Sequence, residues 1–316
     1  RLCGRGGGRF SALNILPVVP KPMQRSKLFS CLILAAAFLT GSASADILLP
    51  GERLFPQAVT ATRDGALYVG IGSGVVKVTP GAAQVDPLPV AVGAIRSFAF
   101  DERGQSLWAC ADGPSGKAAL KVIDVRSGKL RNEYVLDNNG DCADVTIGRD
   151  GTVYLLDSAN SAVLRLKRGD EKPLPWLTND ESLRRLGSWS ALSVDNLGGI
   201  YLLGRDKGSL QRVALRWDGS AGNLVDIKLD RPLNKPVALK PMAKRKLLVT
   251  EASGDLTMIT VLGETGSLST LASTIAGPGN LAVVNGVAYV AESQVRLPEG
   301  SKPRQFRLVS VDLPKL

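Results

Sequence analysis

From Arg63 the chain runs through a polar turn, Arg63-Asp64-Gly65, into a short apolar strand, Ala66-Leu67-Tyr68-Val69-Gly70. The same order returns as Arg149-Asp150-Gly151-Thr152-Val153-Tyr154-Leu155-Leu156, as Leu197-Gly198-Gly199-Ile200-Tyr201-Leu202-Leu203 and as Asn285-Gly286-Val287-Ala288-Tyr289-Val290-Ala291. Two weaker copies fill the gaps, Gln105-Ser106-Leu107-Trp108-Ala109 and Lys246-Leu247-Leu248-Val249-Thr250. The marker position is therefore Tyr68, Trp108, Tyr154, Tyr201, Leu248 and Tyr289, with steps of 40, 46, 47, 47 and 41 residues. Four of the five tyrosines occupy it. A strand-rich repeat of about 40–50 residues is the signature of a β-propeller, one copy per blade. The pattern predicts an all-β, six-bladed propeller of four-stranded blades; a large sandwich of repeated hairpins is the alternative.

The turns divide the chain into blades at about residues 55–90, 96–136, 143–177, 188–229, 236–271 and 280–313. Val163-Leu164-Arg165-Leu166 alternates as a half-buried strand does. Ile47-Leu48-Leu49 is placed to supply a missing outer strand to the last blade, since closure removes exposed edges. The start of each innermost strand opens into one mouth of the central channel. Those positions fall at Gln57, Arg96, Ala143, Ser190, Val237 and Asn280.

The N-terminus changes the charge picture. Met23 is followed by a basic stretch with Arg25 and Lys27, an apolar run Leu28 to Leu39, and Ala43-Ser44-Ala45. This order reads as a cleavable signal peptide over 23–45, and the apolar run is too short for a membrane span. Residues 1–22 read as a non-coding or disordered leader, and 46–316 as one propeller domain beginning at Asp46. Residues 1–45 hold six Lys/Arg and no acid, so the formal +10 falls to 33 basic against 29 acidic residues in the remainder. No stripe of basic residues interleaved with aromatics is present, so nucleic acid is not an expected partner. The run Lys240, Lys244, Arg245, Lys246 sits at a blade turn and reads as solvated surface. A periplasmic or secreted monomer is expected, with no transmembrane segment after processing.

Export exposes cysteines to an oxidising compartment. Cys110, ending the second strand of blade two, and Cys142, beginning the first strand of blade three, are expected to form a disulfide; two buried thiols are the alternative. The chain has no histidine, which removes Ser-His and Cys-His catalysis and leaves no paired spacing for zinc. Asp141, Asp144 and Glu292 are the candidate acids or bases. Gly72-Ser73-Gly74 reads as a tight turn rather than a phosphate cradle.

The strings Leu54-Phe55-Pro56-Gln57-Ala58-Val59-Thr60, Cys142-Ala143-Asp144-Val145, Pro236-Val237-Ala238-Leu239-Lys240-Pro241 and Ala291-Glu292-Ser293-Gln294 resemble bacterial members of a known family. It is the family of senescence marker protein, gluconolactonase and luciferin-regenerating enzyme. The resemblance spans nearly all of the chain after the leader. It implies a six-bladed propeller and a metal-dependent lactonase with one Ca²⁺- or Zn²⁺-type ion in the mouth. It also implies metal ligands at four positions, which here are Gln57, Ala143, Ser190 and Val237. None keeps the family's residue type, and a hard dication needs several oxygen ligands with carboxylate charge among them. Asp144 lies one residue from Ala143, which in a regular strand turns it to the opposite face unless a bulge intervenes.

Two functions are weighed. In the first, the scaffold persists without metal or other cofactor, and Gln57, Arg96, Asp144, Ser190 and Asn280 form a neutral-to-cationic pocket for a small polar or anionic molecule, or serve a protein partner. An unpaired Arg96 would attract carboxylate or phosphate; an Arg96 paired with Asp141 or Asp144 would instead tie blades two and three together. In the alternative, the protein is a lactone hydrolase with one relocated divalent cation.

Overall fold

The computed structural model describes residues 44–315 apart from 83, 138, 179–187 and 296–301. The signal-peptide reading of 23–45 and the leader reading of 1–22 fall almost wholly outside the described residues. Among the described residues strands account for nearly all regular structure, and no helix is long and apolar enough to cross a membrane.

A short strand β1 (Ile47–Leu48) comes first, followed by four-stranded antiparallel meanders. These are β2 (Val59–Ala61), β3 (Leu67–Ile71), β4 (Gly74–Val78) and β5 (Val85–Pro87), then β6 (Ile95–Asp101), β7 (Ser106–Asp112), β8 (Ala118–Asp124) and β9 (Lys129–Val135). The third holds β10 (Cys142–Ile147), β11 (Val153–Asp157), β12 (Ala162–Leu166) and β13 (Leu174–Leu177). The fourth holds β14 (Trp189–Val194), β15 (Gly199–Gly204), β16 (Ser209–Leu215) and β17 (Ala221–Leu229). The fifth holds β18 (Pro236–Pro241), β19 (Lys246–Glu251), β20 (Leu256–Leu262) and β21 (Thr265–Ala272). The chain ends with β22 (Pro278–Val284), β23 (Val287–Glu292) and β24 (Arg307–Asp312). The innermost strands neighbour one another in a closed cycle, β2, β6, β10, β14, β18, β22 and back to β2. The fold is propeller-like.

The expectation of six separate sheets is not what the hydrogen bonding yields. There are four sheets of four strands and one of eight. The larger sheet arises because the outer strands β17 and β21 pair in parallel through Lys228–Thr265 and Leu229–Gly266, joining two meanders edge to edge. Elsewhere the last sheet is completed by β1, which pairs with β24 through Ile47–Leu308 and Leu48–Arg307. Asp46 fixes this closure: its carboxylate accepts from Arg307 Nη1 (2.8 Å) and from Ser310 N (2.9 Å).

The marker residues show why the sequence repeats. In a second strand, alternate side chains point to opposite faces, and both faces are covered. In β3, Leu67 and Val69 pack with Ala282, Tyr289 and Leu308 of the last sheet, whereas Tyr68 packs with Phe98, Leu107 and Ala109 of the next. Tyr154 likewise packs against Leu192 and Leu202, Tyr201 against Leu239 and Leu247, Leu248 against Leu281 and Val290, and Tyr289 against Val59 and Leu67. Trp108, only partly buried, meets Val145 and Leu155. The marker is therefore the side chain that seals one meander to the next. Gly72 adopts φ +53° in the turn after β3, as the tight-turn reading of Gly72-Ser73-Gly74 requires.

Cys110 on β7 and Cys142 at the start of β10 form a disulfide, with Cα atoms 5.1 Å apart and a sequence separation of 32. It lies in the seam that Trp108 closes least completely. Opening that loop should lower unfolding free energy by about 3–4 kcal/mol. The check is urea unfolding of the native protein beside a Cys110→Ser/Cys142→Ser variant. Coincident transitions would mean that the bridge contributes nothing to stability.

Candidate functional site: the channel mouth

Each inner strand except the short β2 carries one extra residue relative to its partner. The register breaks between Ile95 and Ser97, Cys142 and Asp144, Trp189 and Ala191, Pro236 and Ala238, and Pro278 and Leu281. The skipped residues are Arg96, Ala143, Ser190, Val237 and the Gly279-Asn280 pair. A bulge re-aims a side chain and resets the alternation that follows. The backbone around the bulges repeats as well: Ser158 N donates to Asp141 O (3.1 Å), Arg205 N to Ser188 O (2.7 Å), Ala252 N to Asn234 O (3.0 Å) and Ser293 N to Gly277 O (3.1 Å).

The structure brings all six sequence-assigned mouth positions to one cavity of about 390 Å³. Gln57, Arg96, Ala143, Ser190, Val237 and Asn280 line it, joined by Asp141, Asp144, Ser158, Trp189 and Arg205. Gln57 O accepts from Asn280 N (2.8 Å), and the backbones are so close that a Cβ on Gly279 would lie 2.8 Å from that oxygen. Because of the bulge at Ala143, Asp144 also faces the mouth and does not point to the opposite face.

Arg96 is not unpaired. Its Nη2 meets Asp112 Oδ1 at 2.9 Å and its Nε lies 3.6 Å from Asp141 Oδ1. Ser158 Oγ donates to the other Asp141 oxygen at 2.7 Å. Two carboxylates offset one guanidinium, so Arg96 is not the unpaired cation that would attract carboxylate or phosphate by charge alone. The partner Asp112 comes from the neighbouring strand β7, which sequence spacing did not single out. Arg96 Nη1 and Ser190 Oγ are buried and have no hydrogen-bond partner. Such donors are costly to leave unmet in a protein interior.

Asp144 is 6 % exposed. Its Oδ1 accepts from Ser97 Oγ and from Val145 N (2.9 Å), and its Oδ2 from Leu192 N (2.9 Å). Asn280 Nδ2 reaches Ser97 Oγ at 3.4 Å. Burial pushes the carboxyl up to about 6, against the opposing pull of those hydrogen bonds and of Lys240. Lys240 does not belong to the surface run with Lys244, Arg245 and Lys246. It lines a second cavity of about 140 Å³ that Asp144 and residues of all six inner strands enclose, and burial lowers its pKa.

Glu292 is not a mouth acid. It is 2 % exposed, is held by Arg307 Nε at 2.8 Å, and accepts from Ala276 N (3.2 Å). Glu251 and Asp157 act alike in their own meanders, accepting from Asn234 N and Asp141 N. These acids anchor the segments leading into β10, β18 and β22. They follow the markers Tyr154, Leu248 and Tyr289 by three residues, a regularity legible in the sequence.

The four positions at which the resemblance implies metal ligands do converge, but Ala143 and Val237 offer no side-chain donor atom. Asp141 is engaged by Arg96 and Ser158, and Asp144 by three donors. Among the described residues no group of three or more His, Cys, Asp or Glu is placed to hold a metal ion. This donor set does not fit a hard dication.

No protein-family model matches the chain, and no curated protein does. Solved structures do. A gluconolactonase from Xanthomonas campestris aligns with a TM-score of 0.62 at 15% identity, over 86% of this chain and 98% of its own. A luciferin-regenerating enzyme aligns at 0.64 and 11%, over 85% and 95%. A virginiamycin B lyase from Staphylococcus aureus aligns at 0.60 and 13%, over 85% and 99%. Two of these carry the activities for which the resembled family is named. At such identities the likeness is one of fold.

The raised Asp144 pKa has a stability consequence of fixed sign. The folded state holds that proton more tightly than the unfolded chain, whose carboxyl titrates near 3.9. Asp144 should therefore be neutral and free of penalty below about pH 4, and should cost about 3 kcal/mol once deprotonated above about pH 6. Urea unfolding of the native protein and of Asp144→Asn from pH 4 to 7 measures this. The difference between them should grow in favour of the variant as pH rises; a difference independent of pH would refute the assignment.

Proposed function

We propose that the chain is an exported, six-bladed propeller on a lactonase-like scaffold whose mouth binds a small polar molecule without a metal. The blade count takes the eight-stranded sheet as two blades joined by β17 and β21, which the closed cycle of six inner strands supports. Export rests on the reading of residues 23–45 as a signal peptide, with Asp46 as the first mature residue.

Three mouth-lining residues, Trp189 among them, hold a buried, unmet donor, and the observation that carries the binding reading is two of these, Arg96 Nη1 and Ser190 Oγ. A ligand bearing carbonyl or hydroxyl oxygens would satisfy both. Asp112 and Asp141 already offset the charge of Arg96, so oxygen acceptors matter more than net negative charge. Gln57 and Asn280 add amide groups to the same wall.

A hydrolase reading is kept because one feature favours it: Asp144 lies in the mouth with a pKa of about 6, where a carboxyl can exchange a proton near neutrality. In that case Asp144 would serve as acid or base toward a lactone held at Arg96 and Ser190.

Elemental analysis of the purified protein after dialysis, with a Ca²⁺, Zn²⁺ and Mn²⁺ thermal-shift series, separates these readings from a metal lactonase. We expect substoichiometric metal and no ion-specific rise in Tm. Near-stoichiometric metal would overturn the metal-free reading. A thermal-shift screen of hydroxylated and carbonyl compounds, repeated on Arg96→Gln and Ser190→Ala, tests the mouth: a hit should lose about tenfold or more in affinity in each variant, as one removed hydrogen bond to a charged or buried group implies.

A further inference from the structure

The turns between first and second strands lie at the opposite ends of the inner strands from the mouth, and their repetition gives an internal comparison. In three of them a glycine takes the left-handed backbone: Gly65 (φ +91°), Gly151 (φ +88°) and Gly198 (φ +80°). Between β22 and β23 the two central residues are Asn285 (φ +49°) and Gly286 (φ +81°), the pairing such a turn favours. Between β18 and β19 the same two-residue geometry is imposed on Lys244 (φ +55°) and Arg245 (φ +58°). Side chains with a Cβ are strained there. The turn between β6 and β7 also holds one non-glycine residue there, Gln105 (φ +47°), so what sets the β18–β19 turn apart is that both its left-handed residues are cationic.

The turn borders an apolar cleft of about 390 Å³. Leu197, Tyr201, Pro241, Met242 and Leu247 form its walls, and Lys244 and Arg245 are exposed at its rim. Leu197 belongs to the neighbouring turn and is 63 % exposed. Lys244, Arg245 and Lys246 have no ion-pair partner among the described residues. The cleft's one carboxylate, Asp195, is 8 % exposed, pairs with Arg212 and accepts from Leu197 N and Gly199 N, so it is not free to neutralise them. Burial raises the Tyr201 phenol pKa; Asp195 adds to the rise, and the positive charges of Arg212 and Arg245 oppose it.

We infer that this cleft, remote from the mouth, binds a single-chain anionic amphiphile, with its acyl chain between Leu197 and Met242 and its carboxylate at Lys244 and Arg245. Unneutralised cations beside apolar walls ask for a ligand that is anionic at one end and apolar at the other. The volume falls at the small end of the range of about 300–1,000 Å³ for small-molecule sites. The strained Lys-Arg pair supplies charge where Asn-Gly would supply only a turn.

The probe is dodecanoate below its micellar concentration, titrated calorimetrically into the purified protein. Binding should weaken about fourfold for each methylene removed on going to decanoate and octanoate. The double variant Lys244→Asn/Arg245→Gly should lose tenfold or more in affinity while gaining about 2–4 °C in Tm, because it relieves the turn as it removes the charge. Leu197→Ser, on an exposed tip, should weaken binding several-fold without lowering Tm. Arg96→Gln, in the mouth, should leave dodecanoate affinity unchanged. Unchanged affinity in the double variant would overturn the inference. So would equal binding of uncharged dodecanol, or binding of phosphatidylglycerol vesicles with none of monomeric dodecanoate.

Discussion

The interaction on which everything else rests is the packing of each second strand against the following meander. A strand buried on one face alternates apolar and polar residues, but β3, β11, β15, β19 and β23 are buried on both faces and read as apolar runs. Neither face is covered within its own sheet. Leu67 and Tyr68, adjacent in sequence, belong to two different cores, one shared with the preceding meander and one with the following. A single repeat is therefore left with bare faces, and stability comes only when the cycle closes. The two-residue strand β1 and the Asp46–Arg307 contact matter for this reason: they complete the last sheet and join the first part of the domain to its end.

The six seams are closed by different means. Tyrosine or leucine fills most of them, while the partly buried Trp108 shares its seam with a disulfide. The outer strands β17 and β21 pair directly, a tie the other meanders lack among the described residues. The acids at the ends of second strands are a further repeated device. Asp157, Glu251 and Glu292 each hold the backbone entering an inner strand. In those three strands the anchored segment leads into a bulge, and the bulges of five inner strands turn residues toward the cavity that Gln57 of the bulge-free first meander also lines.

The groups that meet in that cavity are largely engaged with one another. Two of the four convergent positions are aliphatic, and the available carboxylates are tied up by Arg96, Ser158, Ser97 and backbone N–H groups. The mouth is thus a hydrogen-bonded network with three donors left over, on Arg96, Trp189 and Ser190. The opposite face shows the reverse economy: there a turn keeps two strained cationic residues although a better turn sequence exists in the same chain at Asn285-Gly286.

Several features were legible in the sequence because they depend on local repetition. The marker steps located the second strands, the turns located the first, and counting back from each turn picked out Gln57, Arg96, Ala143, Ser190, Val237 and Asn280, which do meet in one cavity. The Cys110–Cys142 bridge followed from neighbouring repeats, and the closing role of Ile47–Leu48 from the need to cover an edge. Tertiary structure alone decided the rest, since each such point depends on residues far apart in sequence or on a departure from regular alternation. A bulge turned Asp144 inward, and desolvation then raised its pKa. Strand register set Asp112 beside Arg96, Lys240 was carried into the channel, Glu292 was captured by Arg307, and the outer strands of two meanders were close enough to fuse. Periodicity specifies which way a side chain points in an unbroken strand. It carries no information about where a bulge will break that rule, nor about which charge from another strand will be waiting.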